Sequence, residues 1–394
     1  MNLKSKLNKL QTQAGGHNVS PLLSDQHKPL KIAHRVGRRH LPSKNLRTSE
    51  VTLAKRLRGE LIADGLIIIR KRVPLSSMLG RIKLSTLKSH PQLPGDDDYK
   101  LTNVYIDTET TGLSGGSGTL AFLIGFARLE LSAIQLTQLL ITRFSSESDM
   151  LVRFAESFQS DQRLVSYNGK SYDLPLLISR YRMQSQKHLF AQLPHLDLLH
   201  PTRRLFRSSW PDCRLTSLEN RLLGYRRFDD LPGSEAPAAW FDYLQQGRCE
   251  NLIRVVDHNQ SDIVSLVAAH TQLANAIENP EHYGTDLYGL ARWMADHDTV
   301  MACELLRGRK SELDEQSKRL LAHLLQKNGD WNSANTLWKE LAKAGCPHAI
   351  ERLAKYHEHI SKDIGAAHYY CLQLPDCHAR THRLQRLNRK AGLR

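Results

Sequence analysis

The sequence predicts a mixed α/β sheet flanked by helices, joined to an all-α array of helical repeats. Short apolar runs at 103–106, 120–130, 136–142 and 163–166 have the lengths of buried strands. Stretches near 148–158, 174–182, 214–223 and 250–275 carry apolar residues at helical spacing. Consecutive strands that give way to alternating helices and strands are the pattern of a mixed sheet with helices on its faces. With 394 residues, 40% of them hydrophobic, the chain can bury more than one core.

Residues 1–50 are polar and basic without a sustained period and read as a disordered basic arm. Residues 51–99 read as a small appended element: a helix over VTLAKRLRGELIADG, a strand over LIIIRKRVPL, and the linker HPQLPGDDDYK, whose prolines, glycine and aspartates oppose both helix and strand. The α/β domain follows over 100–278. Residues 285–377 hold the repeats. LARWMADHDTVMACELL, LAHLLQKNGDWNSANTLW and LAKYHEHISKDIGAAHYY each open on Leu-Ala, place Asp298, Asp330 or Asp363 near a turn, and follow it with Ala302, Ala334 or Ala367. Their interval of 31 to 33 residues is close to the tetratricopeptide (TPR) period of about 34 and predicts stacked TPR-like helix pairs that offer a surface to a protein partner. An ordinary helical bundle also fits. A basic tail over 378–394 closes the chain.

The net charge is +15, and it is unevenly placed. Residues 1–60 hold 13 Lys and Arg against 3 Asp and Glu, and residues 378–394 hold 6 against none, so the body between them is nearly neutral. Such basic ends serve either as solubilising tails or as contacts to nucleic acid. No apolar run approaches the roughly 20 residues that span a bilayer, and MNLKSKLNKL lacks the apolar core of a secretory signal, so a cytoplasmic protein without a membrane partner is expected, although the acid-poor, basic N-terminus also suits an organellar transit peptide. The six cysteines form no CxxC pair, as suits reduced thiols. His368, Cys371, Cys377 and His378 lie close in sequence, but their spacing matches no common zinc finger.

The chemistry concentrates in three places. In VYIDTETTGLSGGSGTLAFLIGF, Asp107 and Glu109 stand two apart at the end of a strand and therefore project to one face, where like charges need solvent or a cation between them. In NGKSYDLPLL, Asp173 follows an Asn-Gly turn and precedes Pro175 at the start of a helix, a position that also suits an N-cap. In LIRVVDHNQSDIVSLVAAH, Leu252, Val255, Val256, Ile263, Leu266 and Val267 form one apolar arc, His258 and Asp262 share its flank, and Asn259 falls inside it. A His and an Asp four apart on a helix also make an ordinary surface pair. Asp197, in HLDLL, reads as a strand-end cap or a supporting acid, and Lys170 and Arg214 face either phosphates or solvent. The glycines at 112, 115, 116 and 118 fit a flexible turn or a close approach of backbone to phosphate.

D-x-E, then an Asp after an Asn-Gly turn, then His-x-x-x-Asp on a helix resembles the DEDD (DnaQ-like) 3′→5′ exonucleases, and most closely their bacterial YprB-type branch, over about 100–275. The resemblance implies a ribonuclease H-like fold. It implies that Asp107, Glu109, Asp173 and Asp262 hold two divalent cations, Mg²⁺ or Mn²⁺, and that His258 is the general base. His258 stands four residues before Asp262, the spacing of the family's tyrosine branch, whereas its histidine branch uses five.

These residue types suit phosphodiester hydrolysis. Attack by water on an anionic centre builds charge on both apical oxygens, which two cations can stabilise. Hard cations prefer carboxylate ligands, and an imidazole titrates near neutral pH. The function implied is metal-dependent 3′→5′ cleavage of single-stranded DNA or RNA. The alternatives are a catalytically weak nucleic-acid-binding module and a scaffold acting through its repeats.

Overall fold

A computed structural model of the chain describes residues 48–112, 118–188 and 190–392. The basic arm expected over 1–50 therefore lies outside the described residues up to residue 47, as do Gly115 and Gly116. A helix α1 (Glu50–Arg56) leads into strands β1 (Glu60–Ala63) and β2 (Leu66–Pro74) and a small hairpin, β3 (Met78–Leu79) and β4 (Ile82–Lys83). Strands β5 (Thr102–Thr110), β6 (Ala121–Leu129) and β7 (Ala133–Ile141) form a meander, followed by α2 (Glu147–Ala155), β8 (Gln162–Ser166), α3 (Asp173–Met183), β9 (His195–Asp197) and α4 (Leu199–Phe206). A short helix α5 (Leu215–Leu218) runs into a π-helical turn (Glu219–Leu223); α6 (Ala236–Gln246) and the long α7 (Glu250–Glu278) complete this part.

The main sheet has the order β1-β2-β7-β6-β5-β8-β9. β5 pairs antiparallel with β6 and parallel with β8, and β8 pairs parallel with β9, so the mixed sheet is as expected. Two expectations for residues 51–99 need correcting. The apolar spacing of GELIA predicts a helix, but Glu60–Ala63 is a strand, and β2 pairs with β7 from Leu66↔Ile141 to Pro74↔Ala133. The element thus extends the sheet instead of standing apart, because Leu66–Ile69 are apolar on both faces and need cover on both. Nor does HPQLPGDDDYK hang free: Leu93 is buried, and Asp96 pairs with Arg163, whose side chain is 1% exposed.

One face of the sheet packs Val104, Ile106, Phe122, Ile124 and Leu139 under α2, α3 and α6; the other packs Tyr105, Ala127, Leu136 and Val165 against α4 and the second half of α7. The arc expected on α7 is buried as predicted, from Leu252 to Val267. The helix comes close to the sheet because Gly125, opposite Asp107 in the β5–β6 register, leaves room: a Cβ there would overlap Asn259 Oδ1 and Ile263 Cδ1.

The C-terminal region is all-helical: α8 (Pro280–Tyr283), α9 (Leu287–Ala295), α10 (Thr299–Arg307), α11 (Glu315–Lys327), α12 (Trp331–Lys343), α13 (Pro347–His359), α14 (Ile364–Leu372) and α15 (His378–Lys390). Each repeated Asp caps the second helix of a pair. Asp298 accepts from Val300 and Met301 N–H, Asp330 from Ser333 N–H and Asp363 from Ala366 N–H, each cap contributing about 1 kcal/mol. The repeated alanines, Ala302, Ala334 and Ala367, are fully buried where neighbouring helices meet. The array joins the body through α9, where Arg204 lies over the Trp293 ring at 4.9 Å. The basic tail expected over 378–394 is another correction. Most of it is the helix α15, and Arg383, Arg386 and Lys390 converge on the buried Glu358 at 3.0, 2.6 and 2.9 Å. The hydrogen bond from Arg386 is the main reason that the Glu358 carboxyl is pulled down to about 2.

Gly125→Ala is expected to cost about 1–3 kcal/mol through overpacking. Denaturant unfolding measures the loss, and an unchanged midpoint would mean that α7 does not rely on this gap.

Candidate active site

Asp107 and Glu109 leave the sheet together at the end of β5, on the face covered by α7, where the strand slips register between Glu109 and Thr110. Asp107 is held by a relay of amides. The buried Gln138 on β7 donates to Val256 O and to Asn259 Oδ1, both at 2.8 Å, and Asn259 donates to Asp107 Oδ2 at 2.7 Å and to its carbonyl at 3.2 Å. Asn259 falls inside the apolar arc of α7 because it carries this link.

Asp173 opens α3, but its carboxylate does not cap the helix; it accepts from Thr108 Oγ1 at 2.5 Å, between Asp107 and Glu109 in sequence. The turn before it is fixed by Asp197, which accepts from the N–H groups of Asn168, Lys170 and Leu199 at 2.7, 3.1 and 3.1 Å; of the two readings its sequence allows, these bonds are those of a strand-end cap. Asn168 takes φ +67° there, a left-handed conformation that asparagine tolerates. Lys170 and Arg214 are exposed.

His258 and Asp262 come from one turn of α7, with Nε2 3.4 Å from Asp262 Oδ2. Glu109, His258 and Asp262 bring ligand atoms within 4.8 Å of one another, so they can hold a metal ion. No such group forms around Cys371 and Cys377 among the described residues, where all six cysteines are free thiols.

The electrostatics tie the remaining acids to this group. Burial pushes the Asp107 carboxyl well above its usual range, and the charges of Asp262, Asp173 and Glu109 push it further. Glu109 is raised in the same way, by burial first and then by Asp262 and Asp173, and Asp173 is raised mainly by burial. For Asp107 and Glu109 these are the shifts of buried carboxylates that other acids crowd; for Asp173 the acid that adds to burial is Asp197. The donor set, carboxylates with one imidazole and no thiolate, fits hard divalent cations such as Mg²⁺ or Mn²⁺.

One cation is built into the chain. Arg227 grips Glu219 with Nε at 3.0 Å and Nη2 at 2.6 Å, pairs with Asp262, and reaches Asp230 at 3.3 Å. Its neighbours hold its proton more tightly than usual, although burial works against them. The loop GYRRFDDLPG supplies Arg227 and Asp230, and no local pattern marks either residue for the site: neither stands at a regular spacing from the other acids.

The parallel strands β5, β8 and β9 end at this cluster, the usual place for a site in an open α/β sheet. The model of the RNase_H superfamily matches residues 104–274, the span of the meander, β8, β9 and α7. The chain is also 33% identical over 285 residues to a protein of Bacillus subtilis (strain 168), "Uncharacterized protein YprB", covering 68% of each chain. The chain belongs to the YprB family, with an RNase H superfamily domain. The matched span supports a nucleic-acid-processing function and includes all five candidate residues, from Asp107 to Asp262. Among the described residues, no helix is long and apolar enough to cross a membrane.

An acid whose pKa is higher folded than unfolded binds more protons when folded in the window between the two values. Without metal, stability should therefore fall as pH rises above the ordinary carboxylate range. Asp107→Asn removes one of the crowded charges and leaves Asn259 an acceptor. In chelator it should melt a few degrees above the parent protein, and it should lose most of the parent's stabilisation by millimolar Mg²⁺. Scanning calorimetry with and without the ion tests both; a variant that melts lower in chelator and still responds to Mg²⁺ would contradict the crowding.

Proposed function

We propose that the protein is a metal-dependent 3′→5′ exonuclease of the DEDD type that shortens single-stranded DNA or RNA. The observation that carries this reading is the convergence of ligand atoms from Glu109, His258 and Asp262 within 4.8 Å, beside the buried Asp107, whose carboxyl burial and then the charges of Asp262, Asp173 and Glu109 raise: a concentration of negative charge that hinders anionic-substrate binding unless cations occupy it. In this reading Asp107, Glu109, Asp173 and Asp262 hold two ions, Mg²⁺ or Mn²⁺. When bound, such ions supply stabilisation of charge on the attacking and leaving oxygens and a lower pKa for a bound water.

The side chains have distinct tasks. Asn259 and Thr108 fix the rotamers of Asp107 and Asp173, so the acids keep their places while substrate moves past. His258 Nε2 faces Asp262 and is placed to take a proton from the attacking water. Arg227 offsets part of the charge of Asp262, and the buried Glu219 keeps it from leaving. The chain outside the domain supports two further roles. The helix pairs, capped and spaced as TPR-like repeats, suit a protein partner. The basic N-terminal segment suits nucleic acid. Action in the cytoplasm fits a reaction on nucleic acid.

The test uses 5′-labelled single-stranded DNA and RNA of matched sequence, with Mg²⁺, Mn²⁺ or chelator. Products should shorten stepwise from the 3′ end only with metal, and Asp107→Asn and Asp262→Asn should abolish the ladder. His258→Ala should slow turnover by roughly a hundredfold to ten-thousandfold, as for loss of a general base. Folded Asp107→Asn that retains full activity, or cleavage unaffected by chelator, would overturn the reading.

A further inference from the structure

The ring of His258 is held from the side away from the acids. Its Nδ1 lies 2.8 and 2.9 Å from the two oxygens of Asp230. Arg227 Nη1, which can only donate, also lies 3.2 Å from Nδ1, but the two contacts to Asp230 are shorter and this Nη1 has Asp230 Oδ2 as its own acceptor; an ionised carboxylate only accepts, so Nδ1 carries the proton and donates it to Asp230. The lone pair of a neutral ring is then left on Nε2, the atom that faces Asp262.

Asp230 is itself fixed. Arg227 Nη1 reaches its Oδ2 at 3.3 Å, and Arg227 is anchored on Glu219, whose side chain is 1% exposed at the start of the π-helical turn. The preceding residue, Asp229, has φ +54°, and its carbonyl accepts from Arg254 of α7 at 2.8 Å. The following residue, Leu231, is buried in the core. The loop is therefore tied to α7 on one side of Asp230 and to the core on the other, and the carboxylate stands against the imidazole.

We infer that Asp230 is a positioning residue: it fixes the Nδ1–H form of His258 and so presents the Nε2 lone pair to the acid cluster. The rate consequence rests on the nuclease reading above; the tautomer does not. The pairing also answers the question raised by the unusual spacing of His258 and Asp262. The helix alone does not fix the direction of the ring; Asp230 does. Without it the ring can rotate and place N–H, instead of a lone pair, toward the site.

The experiment uses full-length protein labelled with ¹⁵N at histidine, with Mg²⁺ at pH 8. Long-range ¹H–¹⁵N correlation reports which ring nitrogen is protonated, and His258→Ala identifies the resonance. The Nδ1–H form is expected in the parent protein and in Asp230→Asn, which keeps an accepting oxygen, and an Nε2–H or averaged form in Asp230→Ala. The Asp230 side chain is partly exposed, so its truncation leaves the core intact. On oligonucleotide, Asp230→Ala should lower kcat about tenfold to a hundredfold, with KM within about twofold, as for loss of a group that orients a histidine. Asp230→Asn should recover most of that loss, and Asp230→Ala should add nothing to His258→Ala, because the two act as a unit. A parent ring protonated on Nε2, an unchanged tautomer in Asp230→Ala, or additive losses in the double variant would overturn the inference. A tautomer switch in a protein without nuclease activity would leave the positioning role standing and remove the proposed reaction.

Discussion

The crowding of carboxylates at the end of β5 is the constraint on which the site depends. Left to themselves, Asp107, Glu109, Asp173 and Asp262 would separate into solvent. The fold opposes this with contacts from several elements: the amide relay from Gln138 through Asn259, the hydroxyl of Thr108, and the gap at Gly125 that lets α7 lie close. A structure that holds acids together in this way is expected to gain stability if a cation enters.

The helix α7 does most of the assembling. His258, Asn259 and Asp262 lie within two turns: one faces the acids and Asp230, one reaches into the sheet, and one joins the acids. Their spacing was legible in the sequence because the helical period is strong and the apolar arc defines which way the helix faces. The strand pair Asp107 and Glu109 was legible because alternation in a strand is nearly rigid. Asp173 was placed correctly near the start of a helix, but its partner Thr108 is distant in sequence, and local pattern favoured a cap.

What was not legible depends on long-range pairing. The strand β2 looked like an appendage because its apolar residues indicate burial without saying against what; the nine-residue ladder to β7 supplies the answer. Arg227 and Asp230 sit in a loop without periodicity, and only the fold brings them to α7. The C-terminal cations misled in the opposite sense. In sequence they form a basic tail, but three of them neutralise one buried glutamate on α13, so the charge left for an anionic partner at that end is smaller than the sum suggests.

The most direct measurement of the central claim is anomalous diffraction at the manganese edge from crystals of the full-length protein grown with Mn²⁺. The account predicts anomalous peaks within bonding distance of the carboxylates at positions 107, 109, 173 and 262. Crystals with well-ordered side chains at these positions and no anomalous density among them, or with manganese bound only elsewhere, would contradict it.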